Sequence, residues 1–181
     1  DRQAQVALAA AINLTAFHAR QQGILIVHAP SDTLPSYANA GARHWVTQLP
    51  HAPMPNLSNI TLPHYPLYPC VDYPHSCWPS CDSYWGDPAA NGGKVPWEPC
   101  DHCTAGETHG ITIEPHDAVV DTNSLQELAN VVAARSISTL LYTGVATNMC
   151  VMERAWGMIN AKRMGLEPII LRELTETAYS P

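Results

Sequence analysis

Residues 49–110 hold eleven of the sixteen prolines and five of the six cysteines of the 181-residue chain. Proline fixes φ and lacks a backbone donor, so this stretch supplies neither long helices nor central strands. The regular core must therefore come from the two flanking segments, with 49–110 carried as an irregular insertion within a single domain spanning 1–181.

The flanks read as alternating helices and buried strands. Val6, Leu8, Ala9, Ile12, Ala16 and Phe17 recur at mostly helical spacing over residues 3–22, and Gly23 stands where a helix-ending glycine belongs. Ile24–Val27 is a short apolar, β-branched run of the kind covered on both faces in a parallel sheet. A helix over 36–48 follows. Beyond the insertion come a strand at Ala118–Val120 and a helix over 124–134 with Leu125, Leu128, Val131 and Val132 on one face. A strand over Thr139–Thr143, a helix over 150–164 closing at Gly165, and a strand over 168–171 complete the series. Such alternation predicts an α/β fold with a doubly wound parallel sheet, whose ligands bind beyond the carboxyl ends of the strands.

A formal charge of -7 argues against a nucleic-acid surface built on bulk positive charge. No apolar run approaches the roughly 18 to 20 residues that span a bilayer, so membrane insertion is not expected. Cys70, Cys77, Cys81, Cys100 and Cys103 cluster as a disulfide framework does, and Asn13, Asn56 and Asn59 each open a glycosylation sequon. Together they predict a secreted, disulfide-bonded glycoprotein with a disulfide-rich insertion. Zinc bound by Cys77, Cys81, Cys100 and Cys103 is the competing reading, weakened by the three-residue spacing of the first pair. No cofactor is called for.

Chemistry concentrates at Cys150. It follows the strand end and the turn Thr143-Gly144-Val145-Ala146-Thr147-Asn148-Met149, and opens a helix. Unpaired N–H groups at a helix N-terminus stabilise a thiolate and the oxyanion formed when it attacks a carbonyl. A small buried cysteine packing helix onto sheet is the alternative. The segment Gly144-Val145-Ala146-Thr147-Asn148-Met149-Cys150-Val151 resembles the nucleophile segment of isochorismatase-like cysteine hydrolases. Gly23–Thr33 and Glu173–Thr177 are similar to other parts of that family. The resemblance implies a Rossmann-like three-layer fold, Cys150 as nucleophile, Val145, Ala146, Thr147 and Asn148 as the oxyanion-shaping turn, and a cis Val145–Ala146 link. It also directs attention to His28, Asp32 and Asp121 as a possible pocket, although His28 and Asp32 alone do not make a metal site.

Two members of the family's Asp–Lys–Cys triad do not appear. The Asp belongs to a first, central strand that would precede the opening helix, and Asp121-Thr122-Asn123-Ser124 stands where the Lys would follow its strand. An empty central slot exposes rows of unpaired backbone groups, so a strand from outside residues 1–181 or from a neighbouring chain is expected beside Ile24–Val27 and Thr139–Thr143. Two functions remain open. One is hydrolysis of a small amide, imide or vinyl-ether-like substrate through Cys150. The other is a catalytically inactive, secreted structural or assembly subunit that self-associates, as filament-forming proteins do.

Overall fold

The computed structural model describes residues 2–30, 34–54, 111–148 and 150–177. Their elements are helix α1 (Arg2–Gln21), strand β1 (Val27–His28), a 3-10 turn at Leu34–Tyr37, α2 (Gly41–Thr47), β2 (Ala118–Val119), α3 (Leu125–Ala134), β3 (Thr139–Val145), α4 (Cys150–Glu153), α5 (Met158–Arg163) and β4 (Glu167–Glu176).

Helix α1 ends as its glycine requires. Gly23 has φ 75°, a conformation open to glycine at little cost, and this lets Ile24 N–H reach the Ala19 carbonyl at 3.0 Å and Gly23 N–H the Arg20 carbonyl at 2.9 Å. The inward face differs from its expected composition. Ala9 is buried, whereas Val6 and Phe17 are 59% and 52% exposed, so the helix meets the core through smaller side chains. Helix α3 starts where Ser124 Oγ accepts the Glu127 N–H, satisfying one of the orphan donors of the first turn. Its Leu128 and Val131 are fully buried.

The sheet corrects the expected architecture. In place of one doubly wound sheet, the described strands form two separate parallel pairs, β1 with β2 and β3 with β4. Alternate residues of a parallel strand bond to a given neighbour. Because Ala118 and Val120 donate to the Ile26 and His28 carbonyls, the backbone groups of Leu25 and Val27 point away from β2. By the same alternation, with Glu167 donating to the Ser138 carbonyl, those of Thr139 and Leu141 point away from β4. No described strand joins these outer edges, so the sheet is divided where a continuous one would run. Among the described residues no ladder runs directly from Ile24–Val27 to β3.

Both pairs nevertheless share one core. Val46, Ala118, Val120, Leu128, Val131, Trp156, Ala161 and Leu166 form its buried centre, with Leu25 and Val27 packing from one pair and Leu140 and Tyr142 from the other. Leu141 faces the opposite side beside its register partner Ile169, and the two are 51% and 39% exposed. Parallel strands are ordinarily covered on both faces, so this face is also open.

Two further expectations change. The single helix over 150–164 is two short ones, broken at Gly157, where an added Cβ would lie 2.6 Å from the Met152 carbonyl oxygen. The disulfide-rich insertion is not part of the described fold: the described residues contain one cysteine, Cys150, and it is in no disulfide bond. Cys70, Cys77, Cys81, Cys100 and Cys103 lie outside the described residues. A small α/β unit with two parallel strand pairs is what replaces the expected architecture. Among the described residues no helix is long and apolar enough to cross a membrane.

Ser136 ends α3 with φ 51°, while Ile137 N–H bonds the Val132 carbonyl at 2.9 Å. It occupies the position that Gly23 occupies after α1. Ser136→Gly should therefore stabilise the fold by about 0.5–1 kcal/mol, read as a higher urea midpoint with an unchanged slope.

Candidate functional site at the end of β3

The turn that follows β3 is fastened at two points. After the Val145–Ala146 peptide, which is cis as the resemblance implies, the Ala146 carbonyl accepts the Val151 N–H at 3.1 Å. Thr147 then donates twice to the Glu176 carbonyl, through N–H at 2.8 Å and through Oγ1 at 3.0 Å. Glu176 can reach this point because β4 leaves register between Tyr142 and Gly144 and returns with Gly144 beside Thr175 and Val145 beside Glu176. Irregularities of this kind re-aim a strand end next to a site. Both Thr147 donors are thus committed to β4 and do not serve as oxyanion donors. Asn148 lies beside them in the same turn.

Cys150 is half-buried at the start of α4. The helix that was expected to support its thiolate is only four residues long. The helix dipole grows from aligned peptides, so this support is small. The loop leaving β2 docks close by: Ala155 N–H donates to the Thr122 carbonyl at 3.1 Å, and Arg154 donates to Asn123 Oδ1 at 2.7 Å. Asp121 sits at that strand exit, but its Oδ1 accepts the Asn123 N–H at 2.9 Å and so shapes its own turn.

His28 does not join Cys150 or Asp121. Its Nε2 lies 3.0 Å from Asp117 Oδ2, and both side chains are buried. Asp117 also accepts Arg20 Nε at 2.9 Å, Arg20 NH2 at 2.6 Å and the Glu114 N–H at 2.7 Å, while its own carbonyl accepts Trp45 Nε1 at 2.7 Å. Asp32, the third pocket residue, lies outside the described residues. Among the described residues no group of three or more His, Cys, Asp or Glu is placed to hold a metal ion.

Glu127 is committed as well. It forms a two-point pair with Arg43, at 2.6 and 2.8 Å, and accepts the Asp121 N–H at 2.9 Å. Burial alone would raise its pKa, but these donors hold it below the usual range. Of the sequons, Asn13 uses its Oδ1 to accept the Thr112 N–H at 2.9 Å, and Asn56 and Asn59 lie outside the described residues.

Sequence reasoning passed over Asp117, Arg20 and Trp45. The signal was a lone carboxylate directly before the buried run Ala118–Val120, where an ion survives only with partners. It also passed over Glu176, whose contribution is a carbonyl and therefore has no signature in residue type.

No family model matches the chain, and comparison with curated proteins and with solved structures finds no match. The expected disulfide-rich, doubly wound architecture is accordingly replaced by the α/β unit given above, in which Cys150 takes part in no disulfide bond.

Burial pushes the Asp117 pKa up, yet hydrogen bonds from Arg20, His28 and the Glu114 N–H outweigh it and hold the carboxyl well below the ordinary carboxylate range. A carboxyl whose folded pKa is depressed stabilises the fold fully above its unfolded value of about 4 and loses that contribution as pH falls toward the folded value. Stability measured by urea denaturation should therefore drop steadily below about pH 4, and Asp117→Asn should flatten that drop.

Proposed function

We propose that the chain is part of a cysteine hydrolase of the isochorismatase-like kind, with Cys150 as the nucleophile. The observation that carries this reading is a half-buried cysteine, in no disulfide bond, at the carboxyl end of β3, directly after a turn tied to both α4 and β4. That is where a parallel α/β sheet presents its ligands. For a small amide or imide, the Cys150 thiolate forms a C–S bond to the carbonyl carbon, the C–N bond breaks, and the leaving nitrogen takes a proton. Water then cleaves the thioester and restores the thiol. A vinyl-ether-like substrate is the second class to test.

The buried acids and imidazole that hold the fold together are not available as proton acceptors for this step. Asp117, His28 and Glu127 are held in hydrogen bonds of the fold, and Asp121 Oδ1 supports its own turn. A strand placed between β1 and β3 would end beside Cys150, where an acid or base could act on it.

The divided sheet favours a second reading, that of an assembly subunit completed by a strand donated from another chain. In that case the retained Cys150 is a packing residue, and the particle mass falls as the protein is diluted.

Turnover by the intact protein of a panel of small amides, imides and vinyl ethers decides between them. The hydrolase reading expects turnover that Cys150→Ala reduces by more than about 10³-fold, with the circular dichroism of the folded state retained. Turnover that survives in Cys150→Ala, or its absence from the whole panel, overturns that reading.

A further inference from the structure

We infer that Thr147 is a positioning residue that sets the place of Cys150 by latching the turn after β3 onto the end of β4. The inference rests on the hydrolase reading for its functional meaning, while the latch itself is geometric. Thr147 is joined to one acceptor by both of its donors, with its N–H 2.8 Å and its hydroxyl 3.0 Å from the Glu176 carbonyl oxygen. A carbonyl has two lone pairs, so one oxygen can hold both. The acceptor is itself held in place, because Val145 and Glu176 are register partners at the last step of the β3–β4 ladder.

Four residues before Cys150, the Ala146 carbonyl provides the second tie by accepting the N–H of Val151, the residue after Cys150, at 3.1 Å. Cys150 therefore lies between two anchored points, Thr147 and Val151. Releasing the first removes one of these two ties on the backbone around Cys150. α4, with four residues, is too short to fix its own first residue.

The test is the rate at which iodoacetamide alkylates Cys150 in the intact protein, followed by peptide mass well below the unfolding midpoint. Thr147→Val keeps the N–H bond and removes the hydroxyl bond, so the half-buried thiol should be alkylated about fivefold faster, while Thr147→Ser restores the native rate. On any substrate turned over, the same Val variant should lower kcat with KM little changed, opposite in sign to its effect on alkylation. Thr139→Val is the control. It removes a 3.3 Å hydroxyl contact to Glu167 at the other end of β3 and should leave alkylation unchanged.

Equal alkylation of Thr147→Val and the native protein overturns the inference, and so does an equal increase in Thr139→Val. Should Thr147→Val not fold, amide exchange in the native protein takes its place: Thr147 and Val151 N–H should be protected and open together, and an unprotected Thr147 overturns the latch. Failure of the hydrolase reading shows separately, as turnover that survives in Cys150→Ala.

Discussion

The carboxylate of Asp117 is the tie on which the described fold depends. It receives Arg20 from the end of α1, His28 from β1 and the Glu114 N–H from its own approach to β2, while the Asp117 carbonyl receives Trp45 from α2. These groups stand far apart in sequence, with Arg20 and Asp117 separated by 97 residues. An ion 2% exposed persists only if its lone pairs are filled, and here each oxygen has at least one donor. Arg20 is held in turn, its pKa raised chiefly by the bond to Asp117. The ionic tie thus draws one helix end and the first strand pair together, and Trp45 and Arg43 bring α2 onto the same strand.

What this tie organises is one side of a divided sheet. The β1–β2 pair is anchored by Asp117, and the β3–β4 pair carries the turn of Cys150, while the helices and a common apolar core connect them. Leu141 and Ile169 of the second pair stay 51% and 39% exposed, outside the common core.

Elements with a strong local signal were legible in the sequence. The period of Leu125, Leu128 and Val131 with the Ser124 cap located α3, and Gly23 located the end of α1. The Thr143–Val151 segment correctly pointed to a turn at the end of β3. Longer-range properties were not legible. The run Ile24–Val27 became a strand of only Val27–His28, because ladder length depends on neighbours that the local pattern does not contain. The helix expected over 150–164 was interrupted before Gly157, which caps the next helix in an extended conformation, φ -72° and ψ 164°, that the apolar period does not reveal. His28 pointed to a pocket and was found hydrogen-bonded to Asp117, a difference that depends on Asp117 arriving from beyond the insertion.

The central claim, that the Asp117 carboxylate holds these segments together, is tested most directly by equilibrium denaturation of Asp117→Asn at pH 7. The amide keeps the size of the side chain but removes its charge and one acceptor, leaving Arg20 and His28 poorly paired. The account predicts a loss of about 3–5 kcal/mol relative to the native protein. A loss below about 0.5 kcal/mol would show that the tie is incidental and would contradict the account.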